Sequence, residues 1–261
     1  CSSWEELVSR QDLDVVWIGT TPHLHEAVTV AALEAGKHVF CQARMAMDVA
    51  SAQRMLAAAN AHPDQVTMLC PPPMGIPSGT TFKRLLDGGE IGSPGHFTFR
   101  AHQWMWSDPT APLHWRQDSE KSGLNTLTVG IFAEVLGYWL GYPESLIAQV
   151  RTLRDRQGDE TVRIPDVVQV LAEWENGWSG CLEWSGVARA APGPRLECYG
   201  SEGTLVYDFS DESVWLAQGE HELQQVSIPD NEKGEWNVEA RFVHAVREGG
   251  RPEPPFQTGL R

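Results

Sequence analysis

The sequence predicts an α/β protein in two parts. A parallel-sheet half runs to about residue 75, and an α+β half with a large, mainly antiparallel open sheet follows. Two observations carry this. Residues 14–41 read as strand, loop, helix and strand, the pattern of a parallel β-α-β unit with a right-handed crossover. From His96 the pattern changes to a period of two, with Phe97, Phe99 and Ala101 alternating against His96, Thr98, Arg100, His102 and Trp104.

The elements follow in order. Ser2–Val8 is a short capped helix. Val15–Ile18 is an apolar run suited to a strand buried on both faces. Gly19–Pro22 breaks it, with Thr21 placed to cap the next helix and Pro22 at its first position. Ala27, Val28, Ala31, Leu33 and Ala35 make a small apolar helix that Gly36 ends, and a second buried strand runs from His38 to Cys41. Thr20, Thr21, His23 and His25 thus lie on the loop at a strand's C-terminal end or in the first helical turn, where such sheets bind ligands. Asp48 caps a helix to about Ala61, Val66–Cys70 is a strand, and Pro71–Pro73 forces an extended exit.

In the second half, Ser78 starts a short helix carrying Phe82, Leu85 and Leu86. Residues 105–121 are a loop rich in Pro, Asp and Trp. Ser122–Gly141 reads as one helix with Leu127, Ile131, Val135, Tyr138 and Trp139 apolar, and Gln149–Arg154 as a strand. A hairpin pairs 166–174 with 178–187 around Asn176-Gly177, the strongest short turn signal. Further strands are expected at 195–199, 203–209 and 213–217, and a helix at 235–248.

Composition bounds the function. A length of 261 residues allows one large or two ordinary domains, and 41% hydrophobic with 21% charged residues suits a globular protein. A net charge of -15 without a basic stripe argues against nucleic acid. No apolar run reaches a membrane span. The five cysteines include no close pair and are odd in number, so reduced, mostly buried thiols and a cytoplasmic location are expected. His23 and His25 have no ligand-spaced Cys or carboxylate nearby, so no metal site is expected.

Several pieces stand in a recognisable order: Ile18-Gly19-Thr20-Thr21-Pro22 with His25, Ala35-Gly36-Lys37-His38-Val39, Leu85–Gly92, Trp115-Arg116, Gly200–Leu205 and Phe242–Gly250. Together they resemble the Gfo/Idh/MocA oxidoreductase family, the glucose-fructose oxidoreductase and inositol dehydrogenase group, over nearly the whole chain. The resemblance implies a partial Rossmann domain at 1–75 and a C-terminal α/β domain at 76–261. It also implies NAD or NADP as cofactor, a carbohydrate-like substrate, and oligomer contacts through the C-terminal sheet. The family's Gly-rich loop and ribose-reading acid fall ahead of Ser2, a stretch of roughly 60 residues if each β-α-β takes about 30. The sequence is therefore expected to be a fragment cut at both ends, with an unpaired sheet edge.

The resemblance also assigns site residues. Thr20, Thr21, Pro22, His25, Gln42, Arg44, Trp115 and Arg116 are expected at the cofactor. Trp104, Asn125 and Thr128 are expected at the substrate. The family's Glu-Lys-Pro reads Gln42-Ala43-Arg44 here, and its Asp and His four residues later read Thr128 and Phe132. Neither Ala43 nor Phe132 can move a proton, and alcohol oxidation needs a base beside the nicotinamide. His114 and His102 are the catalytic candidates. His102 is either that base or a hydrogen-bonded strand histidine. Trp115 and Arg116 either clamp the ligand or are a core Trp with a surface Arg. His25 either touches cofactor or only hydrogen-bonds backbone, and Asn125 either binds substrate or caps its helix. Glu134 points into the cleft or into water, with water favoured. The expected activity is NAD(P)-dependent oxidation of a sugar, cyclitol or glycoside hydroxyl. The alternatives are a family member that binds without redox turnover, and an NAD-assisted lyase or hydrolase.

Overall fold

The computed structural model describes residues 1–124, 126 and 128–260. The chain forms two compact units. The first comprises Cys1–Pro71, His114–Asn125 and Asn237–Arg261, and the second Pro72–Leu113 and Thr126–Trp236.

In the first unit, Val15–Ile18, His38–Cys41 and Thr67–Leu69 form a three-stranded parallel sheet in chain order. Val16, Ile18, Val39, Phe40 and Met68 of these short runs are buried, but the first strand is not covered on both faces as its sequence predicts: Trp17 is 46% exposed, its ring stacked on Phe40 at 3.7 Å. Helices His25–Glu34 and Val49–Ala61 make the connections, the second capped by Asp48, whose carboxylate accepts from Ser51 N at 2.7 Å. Gly36, at φ +75°, turns the chain so that Lys37 is buried. The Lys37 ammonium donates to the carbonyl oxygens of Arg10 (2.7 Å) and Leu13 (2.9 Å), which offsets its desolvation. Helix Val238–Glu248 returns to this unit, where Val238 and Phe242 pack with Phe40, Met68 and Cys70.

In the second unit, eight strands form one sheet. Their spatial order is Gln224–Gln225, Ser213–Gln218, Gly203–Asp208, Arg195–Gly200, Pro94–His102, Ser179–Ser185, Val167–Glu173 and Ser145–Arg151. All neighbours are antiparallel except Pro94–His102 with Ser179–Ser185. The period-two pattern places Phe97, Phe99 and Ala101 on the buried face. They join Phe132, Leu136 and Trp139 of helix Val129–Leu140 in one aromatic core with Trp184, Tyr207 and Phe209. The opposite face is polar: Glu197 takes the Arg195 guanidinium at 2.7 Å and the hydroxyls of Thr98 (3.2 Å) and Tyr199 (3.0 Å).

Three further sequence expectations need correction. Thr21 does not cap the helix. The chain first makes a 3-10 turn, Pro22–Leu24, and the Thr21 hydroxyl lies 2.8 Å from His23 Nδ1. The helix expected over 122–141 is two helices, Ser119–Ser122 and Val129–Leu140. Gly123, at φ +66°, ends the first in a conformation open to glycine. The strand expected at 149–154 runs from Ser145 to Arg151. Buried Asp166 accepts from Leu153 N (2.8 Å) and Arg154 N (2.7 Å) and draws those residues into a turn. Of the cysteines, Cys41, Cys70 and Cys198 are buried, while Cys1 and Cys181 are exposed.

Candidate functional site

The predicted cofactor residues gather in the first unit, at the C-terminal ends of its parallel strands. The backbone explains why. Ile18 and Cys41 are paired, and Gln42 N donates to Ile18 O at 2.9 Å, so the loops leaving adjacent strands emerge side by side. His25 holds them there. It is fully buried at the helix start, with Nε2 2.9 Å from Thr20 O and Nδ1 3.0 Å from Arg44 O and 3.1 Å from Met45 O. Its polar contacts are backbone carbonyls, one of the two roles its position allows. Thr20 and Gln42 are left exposed at the strand ends, while Pro22 is buried.

The segment after the Pro- and Trp-rich loop completes this region. His114–Asp118 forms a capped 3-10 turn: His114 Nδ1 accepts from Arg116 N at 3.1 Å, and Gln117 Oε1 accepts from His114 N at 3.2 Å. The following helix, Ser119–Ser122, packs on the turn Pro22–Leu24. Buried Ser122 donates through Oγ to the Arg116 carbonyl at 3.2 Å. A Cβ on Gly123 would stand 2.5 Å from Met47 O, so the chain here lies directly on the loop after Cys41. The Arg116 guanidinium carbon lies 4.1 Å from the Trp115 ring centroid, and the His114 ring stacks with Trp115 at 5.7 Å between centroids.

The charges of this cluster act on one another. Burial, and then the Arg116 charge, push Arg44 down to about 10. Burial lowers Arg116 as well, and burial followed by Arg116 lowers His114. A lowered His114 favours the neutral imidazole. Because Nδ1 accepts from the backbone, the neutral ring carries its proton on Nε2.

The remaining predicted residues belong to the second unit. His102 projects from the polar face of its strand, on the side of the sheet away from Phe132. Its Nε2 is 3.3 Å from Glu183 Oε2, an ion-pair distance without hydrogen-bond alignment, and Glu183 Oε1 accepts from Gln169 at 3.2 Å. Trp104 follows the strand and is exposed. Thr128 precedes helix Val129–Leu140, and its Oγ1 is buried without a hydrogen-bond partner among the described residues. Asn125 lies outside the described residues. Phe132 is fully buried against Phe99 (4.8 Å) and Phe209 (5.1 Å) and is a core side chain.

One acid stands out against its sequence reading. Glu134 is half-buried on that helix, and burial pushes its carboxyl up to about 7, where solvent had been favoured. A lone carboxylate on an otherwise apolar helix was the only sequence signal for it. No group of three His, Cys, Asp or Glu suited to a metal occurs among the described residues, and no helix among them is long and apolar enough to cross a membrane.

The exposed strand-end polar groups and the stacked Trp115–Arg116 pair fit the amide and ribose end of a nicotinamide nucleotide, which needs hydrogen-bond donors, acceptors and an aromatic or cationic plane.

Comparison with known proteins bears on the family. The model described as the oxidoreductase family with an NAD-binding Rossmann fold matches residues 1–69, and that of the GFO/IDH/MocA C-terminal domain matches 80–206. Levoglucosan dehydrogenase of Pseudarthrobacter phenanthrenivorans is 27% identical over 309 aligned positions, covering 100% of this chain and 78% of its own. Inositol 2-dehydrogenase of Salmonella typhimurium is 30% identical over 93, covering 36% of this chain and 28% of its own. Among solved structures, an NAD-binding oxidoreductase from Klebsiella pneumoniae superposes with TM-score 0.82 at 26% identity, over 99% of this chain and 77% of that one. Levoglucosan dehydrogenase in complex with NADH and levoglucosan superposes with TM-score 0.85 at 24% identity, over 100% and 77% respectively, and bears on the fold alone. With both of the family's domains matched in order, on a parallel sheet followed by a large mixed one, this chain belongs to the Gfo/Idh/MocA oxidoreductase family.

Proposed function

We propose that the protein is an NAD(P)-dependent oxidoreductase acting on a hydroxyl of a sugar, cyclitol or glycoside. The observation that carries this reading is the pairing of an NAD-binding family match with two strand-end loops locked together by His25 beside Trp115 and Arg116. The relatives named above act on levoglucosan and inositol, both polyhydroxylated rings, which favours the same substrate class here. Residues 1–75, with 114–125 and 237–261 packed on them, are taken as the cofactor part, and the rest of 76–261 as the substrate and oligomer part.

When bound, the nicotinamide accepts or returns the hydride. The protein's share is binding, orientation and the proton. Thr20, Thr21 and Gln42 supply hydrogen bonds at the strand ends, with Pro22 and His25 shaping the loop. Trp115 stacks. His114 is assigned to a substrate oxygen. His102, whose Nε2 lies 3.3 Å from Glu183 Oε2, is the candidate base. Trp104, Thr128 and Asn125 are assigned to the substrate, the unpartnered Thr128 hydroxyl being the natural donor to a sugar oxygen.

The outer strand Ser145–Arg151 pairs on one side only and exposes Leu146, Ile147 and Val150. We assign a second copy of the chain to it, since a self-complementary strand edge closes a two-fold dimer.

A second reading, binding without redox turnover, has one observation in its favour: Phe132, in the family's His position, is sealed in the core. Incubation of the protein with NAD or NADP and a panel of sugars and cyclitols, followed at the nicotinamide absorbance, separates the two. Turnover that falls at least a hundredfold in His102→Ala and about tenfold in His114→Ala is expected. Tight cofactor binding with no absorbance change across the panel would establish the second reading.

A further inference from the structure

Three loops leave one end of the large sheet in the second unit. Strands Pro94–His102 and Ser179–Ser185 are parallel, and Ser145–Arg151 runs the same way, two antiparallel pairings further on. The loops that follow these strands are sewn together. Gln103 N donates to Ser185 O at 2.7 Å, Trp106 N to Gly186 O at 2.9 Å and Ala188 N to Gln103 O at 2.9 Å. Gly186 N donates to Asp166 O at 2.8 Å, and the buried Asp166 carboxylate takes Leu153 N and Arg154 N.

At this junction two guanidiniums meet on one atom. The carbonyl oxygen of buried Ser107 accepts from Arg154 Nη2 at 3.1 Å and from Arg189 Nη2 at 2.8 Å. The shared acceptor sets the two cations side by side, where like charges repel. The carbonyl neutralises neither, and each guanidinium has further N–H donors. The chain is acidic, at net charge -15, so carboxylates that could pair with them are plentiful. Among the described residues, none forms an ion pair with either arginine. Asp108 is held below its ordinary carboxylate value chiefly by hydrogen bonds from Thr110, N at 2.9 Å and Oγ1 at 2.7 Å, and only lastly by the Arg189 charge. Positive charge left unpaired in a rigid frame attracts an anion.

The same loops narrow the ligand. A guanidinium fork matches the two oxygens of a carboxylate or phosphate and has no such match in a neutral hydroxyl. Trp104 closes a turn with Ser107, whose N donates to Trp104 O at 3.0 Å, and its side chain is exposed. An exposed indole offers a flat apolar surface to a sugar ring. Buried Gln157 donates through Nε2 to the carbonyl of Asp108, next to that of Ser107, at 2.7 Å, and its Oε1 has no hydrogen-bond partner among the described residues. Beside donors that lack an acid there is thus an acceptor that lacks a donor, which a hydroxyl supplies.

We propose that Arg154 and Arg189 form an anion subsite beside Trp104, which binds the oxyanion of an acidic sugar. This rests on the reading of the second unit as the substrate part, and it names the substrate class within that reading. The shared chemistry is an oxyanion; a sugar carboxylate and a sugar phosphate are its two sources.

The test uses equilibrium binding as well as turnover. The protein is titrated calorimetrically with D-glucuronate, D-glucose 6-phosphate, inorganic phosphate and D-glucose. Tenfold or tighter binding of glucuronate or glucose 6-phosphate over glucose is expected, and the tighter of the two identifies the source. Arg154→Gln and Arg189→Gln should each reduce that preference at least fivefold, while Arg189→Lys, which keeps the charge and loses the fork, should fall between. Circular dichroism and the thermal midpoint confirm that each variant folds. Arg189 is exposed, so its variants carry the test even if Arg154→Gln does not fold. Equal binding of glucose and both acidic sugars would overturn the proposal. So would an unchanged preference in Arg189→Gln, since charge elsewhere would then hold the anion. Inorganic phosphate bound as tightly as glucose 6-phosphate would make this a site for free phosphate and overturn its assignment to a sugar. Turnover of neutral sugars without any anion preference sinks the subsite and leaves the oxidoreductase reading. A preference that the variants lose, with no sugar turned over, sinks that reading and leaves the subsite.

Discussion

The His25 ring joins two loops through Arg44: its Nδ1 lies 3.0 Å from the Arg44 carbonyl oxygen, while Nε2 lies 2.9 Å from that of Thr20. The ring is fully buried, so these contacts are not exchanged with water. A helix-start histidine thus sets the spacing between the ends of two parallel strands.

Replacing His25 with Ala should therefore act on binding and on stability together. Removing the ring leaves the buried contact to the Met45 carbonyl unmade, and a buried carbonyl left unsatisfied costs about 1–3 kcal/mol. NAD affinity is expected to fall at least tenfold, read by fluorescence titration, and the thermal midpoint to drop by several degrees. A variant with the wild-type midpoint and wild-type NAD affinity would remove His25 from its positioning role.

How much of this was legible in the sequence follows the range of the interactions. The β-α-β unit could be read because short apolar runs between Gly and Pro breakers are local signals. The same holds for Phe97, Phe99 and Ala101, whose period of two places them on one face. The break at Gly123 was missed because Ile131, Val135 and Trp139 keep a helical period that the preceding residues imitate. The return of 114–125 and 237–261 to the first unit is a tertiary event, carried by contacts such as Phe242 on Phe40 (5.5 Å) that no spacing reports. Arg44 and Arg116 were assigned to one region only through the family resemblance, since no spacing relates residues so far apart in the chain. His102 was placed on the polar face by alternation, but its partner Glu183 comes from a strand that pairs with it in parallel, which single-sequence reading does not give.

The outer strand offers a test of assembly. Ile147 is 78% exposed on a strand whose outer edge has no neighbour in the sheet. Ile147→Lys puts a charge on that edge, the usual device that keeps edge strands apart. If this edge joins two copies, light scattering should show the wild type as a dimer or larger and the variant shifted towards monomer, with circular dichroism unchanged. The same mass for both proteins would exclude this strand as the contact.

The last prediction concerns Glu134 and pH. Burial raises its carboxyl from 4.5 to about 7. Between these two values the folded chain keeps a proton that the unfolded chain has released, so this group lowers stability as pH rises. Its contribution is undiminished below about pH 4.5, declines through the window, and levels off above about 7. Glu134→Gln removes the ionisation while keeping the shape. Since the side chain is only half-buried, a gain of about 1–2 kcal/mol is expected at pH 8, less than the full shift would imply. No gain is expected at pH 4. Urea unfolding of wild type and variant at pH 4, 6 and 8 reads the difference directly. A difference independent of pH would mean that packing, and not the charge on this carboxyl, sets the effect of the substitution.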